Sequence, residues 1–522
     1  TLLGTTSVLD LGLAGSWSLA EQKIEAAGPW LYFSGSQDTT PSLQRWQLYR
    51  TDGTVGGAQL LHTQEDAEAS GTEEMVAAGS NVAMIAGSLA GGRELWVSDG
   101  TPSGTLSLDI QPGATGSTPR FLTSVGSEVY FVAQAPVLGA EIHRTDGTPS
   151  GTALVTDTPG SGFGGPLWLF DLNGQILFSA PTSGEGYELW ISDGSFDAEV
   201  PYATLNPGTG DSTVLEAVAL AGGVVCAATN DLIGRELWFS DGTPGGTFVL
   251  ADIKPGGDSS APIELTAIGN QVFFTADELL TEREVWTTDG TSSGTQLVAD
   301  IAEPQNDASS FPRHFVTLGD RMLFVADDGI HGDEIWVSDG TPGDAELLLD
   351  INANPADFGP RQLVRLGNDV LFSADDGAGG QLWKTDGTVA GTQRLTQIGF
   401  PPIGSDPLIL GGLDGYVYFA ARQGFSSYDL YRTDATVAGT EFVSTVAPTF
   451  FFDAQNAIEF DGWLYFLGDG GDGRELWRVQ GTTAEQVVDL NLGSGGIATS
   501  LAAAVYGDRL YFSANDGVSG SE

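Results

Sequence analysis

One phrase, Glu-Leu-Trp-x-Ser/Thr-Asp-Gly-Thr-x-x-Gly-Thr, recurs along the chain, most plainly around Glu94, Glu236 and Glu334. Its aromatic position is filled by Tyr49, Trp96, His143, Trp190, Trp238, Trp286, Trp336, Trp383, Tyr431 and Trp477, at spacings between 46 and 50 residues. Self-similarity at such a period means a repeat architecture, in which each unit buries its apolar surface only against its neighbours. No linker or shift of composition interrupts the pattern. Residues 1–522 therefore read as one continuous array with incomplete units at both ends.

The tail of a unit is visible at the start, where Gly4-Thr5-Thr6-Ser7-Val8-Leu9-Asp10-Leu11 matches Gly294-Thr295-Gln296-Leu297-Val298-Ala299-Asp300-Ile301. At the other end Tyr511–Glu522 matches Leu323–Glu334. Joining Glu522 to Thr1 would lack about six residues of one unit. Either the ends close a ring of eleven units, or the sequence is an ordered portion of a longer array. The second reading is preferred, because Gly-Ser-Glu stops in mid-motif.

Within the unit around Phe315–Ile351, Phe315-Val316-Thr317-Leu318 and Arg321-Met322-Leu323-Phe324-Val325-Ala326 flank the turn dipeptide Gly319-Asp320 and read as a hairpin. A polar loop leads to the strand Glu334-Ile335-Trp336-Val337, and Asp339-Gly340-Thr341 turns the chain into a fourth strand. Four short strands per unit, with no helical periodicity, describe one blade of a β-propeller. The expected fold is all-β, about eleven four-stranded blades of roughly 47 residues. Propellers typically have about four to eight blades, so two rings or an open array stand as alternatives to one large ring.

The phrase resembles that of the bacterial ELWxxDGT-repeat proteins, a family of large secreted or surface proteins, and the resemblance covers essentially the whole chain. It implies a propeller-like extracellular protein and brings no established activity and no catalytic residues. Several units depart from the pattern, and the following blades are expected to carry special geometry. Asp193-Gly194-Ser195-Phe196-Asp197 loses the second Gly-Thr, Asp434-Ala435-Thr436 the turn glycine, and Val479-Gln480-Gly481-Thr482 the aspartate.

With 69 Asp and Glu against 20 Lys and Arg, the formal charge is -49, a field that repels phosphate backbones and anionic lipid. Nucleic acid is excluded as a partner; cations, basic protein surfaces and neutral sugars are favoured. Cys226 is the single cysteine, which excludes an intramolecular disulfide. No apolar stretch reaches the roughly 18 residues of a membrane-spanning helix.

The motif residues read first as structure. Asp-Gly-Thr is a turn device, its Asp accepting backbone N–H groups and its Gly supplying φ > 0. The tryptophan reads as packing between blades, with an indole N–H that needs a partner in every blade. The carboxylate before Leu-Trp is Glu at 94, 141, 188, 236, 284, 334, 475 and 522, Asp at 429 and Gln at 47 and 381. Acceptance of Gln points to a buried acceptor for backbone N–H groups of a neighbouring turn. Calcium is the alternative use of such oxygens, with Asp327, Asp328, Glu334, Asp376 and Asp516 as candidate ligands, although Asp-x-Asp-x-Asp spacing is absent.

His62, His143, His314 and His331 fall in different units, and no nucleophile elbow, zinc helix, phosphate loop or Cys-x-x-Cys pair occurs. The expected function is a non-enzymatic extracellular or cell-surface structural or adhesion protein, as part of an appendage, filament or sheath, with protein or glycan partners. Self-assembly through the terminal half-blades is a further expectation. The alternative is a carbohydrate- or peptide-binding propeller, for which Trp17, Trp30, Trp168 and Trp463, outside the phrase, are the candidate ligand-binding residues. A propeller polysaccharide hydrolase or lyase ranks last.

Overall fold

The structure, a computed structural model, describes residues 17–512 apart from 19–23, 41–42, 55–56, 67–72, 158–164, 173, 183–184, 197–199, 204, 207–209, 280–281, 303–308, 353–358, 400–403, 424–427, 449–456, 472–473 and 489–502. The described residues form eleven antiparallel sheets, numbered here in chain order: 17–66, 74–108, 120–154, 169–203, 214–251, 263–299, 313–349, 361–394, 408–444, 447–488 and 503–512. Eight have four strands in the order 1-2-3-4; sheets 1 and 10 have five and sheet 11 has two. The expected blades are therefore present, without an α-helix among the described residues.

Sheet 7 shows how the sequence sets the blade. Its strands are Arg313–Leu318, Arg321–Asp327, Asp333–Ser338 and Glu346–Leu349. Successive side chains on a strand face opposite ways, and in a row of sheets both faces are buried. The two apolar residues of the phrase consequently serve different neighbours. Ile335 joins the cluster between sheets 7 and 8, and Leu237 that between sheets 5 and 6. Trp238 and Trp286 instead pack back onto sheets 4 and 5. Ten apolar clusters each straddle two consecutive sheets, from sheets 1 and 2 through sheets 10 and 11.

First strands of successive sheets lie against one another, as in sheets 5 and 6 or 7 and 8, so they line the inner side of the array. Backbone-to-side-chain bonds lock them: Ala77 N–H donates to Glu25 at 3.1 Å, Leu265 N–H to Glu216 at 2.8 Å, and Ile409 N–H to Gln362 at 3.0 Å. Tyrosines on second strands reach the turn glycine of the next sheet. The Tyr32 hydroxyl lies beside Gly100, that of Tyr130 beside Gly194, and that of Tyr418 donates to the Gly481 carbonyl at 3.1 Å.

Sheet 11 makes the same contact to sheet 1. The Tyr511 hydroxyl lies beside Gly53, and the first strand of sheet 11 touches the strand Ile24–Ala27. Leu510 and Phe512 meanwhile pack on sheet 10. The file of described sheets thus returns to its beginning, which is the closed-ring alternative of the sequence reading.

The Asp-Gly-Thr turn is a dense hydrogen-bond unit. Asp241 Oδ1 accepts from Thr243 N–H at 2.9 Å and Thr243 Oγ1 at 2.8 Å, and Thr243 Oγ1 accepts from Gly246 N–H at 3.0 Å. A Cβ on Gly246 would stand 1.9 Å from Asp241 Oδ1, which explains the second glycine of the phrase. The units that break the pattern largely keep the geometry. Ala435 takes φ 66 in place of glycine, while Asp434 still accepts from Thr436 N–H at 2.9 Å. Among the described turns sheet 10 differs in kind: Gln480 pairs with Thr483, leaving a two-residue hairpin at Gly481 and Thr482.

Gly246→Ala is expected to destabilise by about 1–3 kcal/mol, since the new methyl displaces the bonded Asp241 carboxylate. Gly245→Ala, whose Cβ meets nothing within 4 Å, should change stability by less than about 0.5 kcal/mol. Denaturant midpoints of the two variants provide the comparison; equal midpoints would refute this account of the turn.

Candidate functional site

The recurring carboxylate sits near the start of each third strand, beside the crossover to the next sheet. Glu236 (0% exposed) accepts from Ile253 N–H at 2.9 Å, where its own sheet ends, and from Ser260 N–H at 3.0 Å and Ser260 Oγ at 2.6 Å, just before the next sheet begins. Glu284 repeats the arrangement with Ile301 N–H at 3.0 Å, Ser310 N–H at 3.2 Å and Ser310 Oγ at 2.6 Å. Glu94 accepts from Ser117 N–H at 2.8 Å and from its hydroxyl. Glu188 accepts from the N–H groups of Leu205 and Asn206. Gln381 fills the same place with its amide: Oε1 accepts from Ile398 N–H at 3.1 Å and Thr396 Oγ1 at 2.9 Å, while Nε2 donates to the Ile398 carbonyl at 2.8 Å. The sequence expectation of a buried acceptor for backbone N–H groups describes these contacts. The recurrent Ser-x-Pro at Ser117, Ser260, Ser310 and Ser405 was the unread signal for the partner across the crossover.

Burial pushes the carboxyl groups of Glu94 and Glu236 upward and those of Glu284 and Glu334 to about 7, against the lowering effect of the donated hydrogen bonds. Glu334 differs from its counterparts. Its Oε1 accepts from Ile351 and Asn352 N–H at 3.0 and 3.2 Å, and its buried Oε2 has no hydrogen-bond partner. Nearby Asp328 accepts from Ile330 N–H, His331 N–H and His331 Nδ1 at 2.9, 2.7 and 2.6 Å, closing its own loop.

The other candidate metal ligands are similarly engaged in turns. Asp327 accepts from Gly329 N–H at 2.7 Å, and Asp376 accepts from Ala378 N–H at 3.1 Å and Arg394 Nη1 at 2.6 Å. Asp516 lies outside the described residues. Among the described residues no group of three or more His, Cys, Asp or Glu side chains is arranged to hold a metal ion. His143 is buried and lowered to about 4, hence neutral.

The expected indole partner in every blade is not found. Trp190 and Trp336 donate to the carbonyls of Ala180 and Ala326 at 3.1 and 3.2 Å, but the buried N–H groups of Trp238, Trp286, Trp383 and Trp477 meet no acceptor. Packing decides here: these rings are set into the clusters between sheets, and Trp286 also stacks on Phe274 of the adjacent strand at 6.5 Å. Burying an aromatic removes about 150–250 Å² from water, which outweighs an unmade hydrogen bond of about 1–3 kcal/mol.

Of the candidate ligand-binding aromatics, Trp30 has the Arg50 guanidinium 3.6 Å above its ring and Trp463 has Arg478 at 4.2 Å. Both also pack on inter-sheet clusters. Trp168 packs on the cluster between sheets 4 and 5, and the side chain of Trp17 lies outside the described set. Trp30 stands in sheet 1, Trp168 directly before sheet 4 and Trp463 in sheet 10, and the structure does not bring these three together. Arg432 over Tyr416 at 4.2 Å repeats the capped pair in sheet 9. These arginines, each directly after the motif aromatic, were not singled out in the sequence.

No protein-family model and no curated protein matches the chain. Among solved structures it is similar to a puromycin hydrolase, at 14% identity over 69% of this chain and 59% of that one, with a TM-score of 0.28. It is similar also to the Niastella koreensis GH74 enzyme, at 12% identity over 89% and 67% with a TM-score of 0.27. A prolyl endopeptidase gives 14% identity over 79% and 55% with a TM-score of 0.29. The chain spans less than two thirds of the hydrolase and the endopeptidase.

A carboxyl raised from 4.5 to about 7 contributes stability that is complete below about pH 4.5 and is lost as pH rises through 7. Glu284→Gln should therefore gain on the wild type between pH 5 and pH 8, read as the difference of their melting temperatures. The overall charge affects both proteins alike, so parallel curves would refute a raised Glu284.

Proposed function

We propose that the chain is a non-enzymatic scaffold of the cell surface or exterior, a structural or adhesive element whose sheets act as equivalent building units. The observation that carries this reading is the use made of the recurrent polar groups. Glu236, Glu284 and Gln381 hold crossovers, and Asp241 and Thr243 hold a turn. Side chains engaged in this way, once per blade, serve the framework and are not available to a substrate. The extracellular placement is supported by the resemblance of the recurring phrase to surface repeat proteins and by the charge of -49, which keeps separate copies soluble.

A sugar-stacking role for Trp30 and Trp463 has less support, because a sugar needs the ring face that Arg50 and Arg478 cover. Immunogold labelling of intact and broken source cells, together with turnover assays on ester, peptide and polysaccharide substrates, tests the proposal. The expected result is label on intact cells and no turnover above buffer. Saturable hydrolysis abolished by one substitution, or label confined to broken cells, would refute it.

A further inference from the structure

Antiparallel pairing places every turn between second and third strands on the same rim as the crossovers between sheets. In those turns five sheets each present one aliphatic side chain to solvent: Leu89, Val137, Leu232 (73% exposed), Leu279 (59%) and Ile330 (54%). None of them belongs to the ten clusters between sheets. They recur at one structural position, and in sheets 5, 6 and 7 they fall on consecutive blades.

Carboxylates surround these three tips. Asp231 precedes Leu232, Glu278 precedes Leu279, and Asp327 and Asp328 precede Ile330. Asp300 and Asp350 stand at the adjoining crossovers, where Glu278 acts on Asp300 and Asp350 on Glu334 as like charges. Of the cations on this rim, Arg283 is paired with Asp277 at 2.9 Å, Arg313 with Asp333 and His331 with Asp328 at 2.6 Å, which leaves Arg235 and Lys254 against Asp231, Glu278, Asp300, Asp327 and Asp350, so the rim's field stays negative.

We propose that the rim over sheets 5, 6 and 7 docks a cationic amphipathic segment of a partner protein, whose apolar side chains cover Leu232, Leu279 and Ile330 while its Lys and Arg meet the carboxylates between them. Charge selects this occupant. A second copy would bring the same negative rim, and an anionic lipid surface is repelled. The inference gives a partner class to the scaffold reading and rests on it. Turnover of a substrate would overturn that reading without touching the binding measurement below, and loss of binding would leave the framework reading intact.

The probe is a fluorescent Lys/Leu amphipathic peptide about five helical turns long, titrated by anisotropy against the full chain. Binding should weaken with added salt. It should also weaken at least tenfold in the triple variant Leu232→Ser, Leu279→Ser, Ile330→Ser, and stay unchanged in Phe196→Ser, Val389→Ser, Val437→Ser, whose exposed side chains lie on the turns of the opposite rim. Unchanged melting temperatures would certify that both variants are folded. Equal affinity for a Lys/Ser peptide of the same charge, equal loss in the two triple variants, or self-association through this rim in sedimentation without peptide would overturn the proposal.

Discussion

Glu94, Glu188, Glu236, Glu284, Glu334 and Gln381, each buried near the start of a third strand, hold the crossovers that follow them in place, and the succession of sheets depends on these contacts. The apolar clusters between sheets are strong but non-directional. They bring two sheets together without fixing where one ends and the next begins. The described residues at the ends of the crossovers lie beyond the strand ladders, so their buried N–H groups need acceptors that no neighbouring strand supplies. Glu236 and Glu284 each supply two or more, one at the end of their own sheet and the others just before the next. The cost is a carboxyl group out of water, visible in the upward shift of Glu284 to about 7. Gln381 avoids that cost with a neutral amide that both accepts and donates at Ile398.

Because each core lies between sheets, a single blade has little stability of its own, and an array of this kind gains it from neighbour contacts. The ends of an open row would each expose an apolar face. The contact of Tyr511 with Gly53 repeats that of Tyr32 with Gly100, so sheet 11 meets sheet 1 in the register used between other neighbours. Sheet 11 contributes two described strands and still packs on both sides, through Leu510 and Phe512 on one and Tyr511 on the other.

The parts of this fold legible in the sequence are those set by local chemistry repeated many times. Strand lengths, the Asp-Gly-Thr turn and the buried acceptor at Glu236 all follow from residue types at fixed offsets. What stayed hidden depends on contacts between distant positions. The sequence could show that Trp238 is buried, but not that its indole N–H faces no acceptor. Trp30 and Trp463 looked exceptional by lying outside the phrase, yet each is capped by an arginine on the adjacent third strand of its own sheet. The serines of Ser-x-Pro were in view at the repeat period and lacked meaning until Ser260 was seen opposite Glu236.

The departures from the phrase separate what the framework requires from what it leaves open. Ala435 keeps a left-handed turn that costs a residue with a Cβ about 1–2 kcal/mol, and the bonds of Asp434 and Thr433 persist around it. In sheet 7 Asp344 replaces the second glycine and restores the turn by accepting from Ser338 Oγ at 2.5 Å and Asp339 N–H at 2.8 Å. Selection for the fold thus acts on the turn's hydrogen bonds more than on its residues. The loops between second and third strands carry no such closed unit in common: Asn230 bonds Leu232 N–H, Asp328 holds His331, and Ser88 accepts from Gly91 N–H. A framework that fixes the Asp-Gly-Thr turns and the crossovers by repetition and leaves the loops between second and third strands chemically varied has its freedom to recognise a partner at those loops, where the aliphatic tips and carboxylates lie.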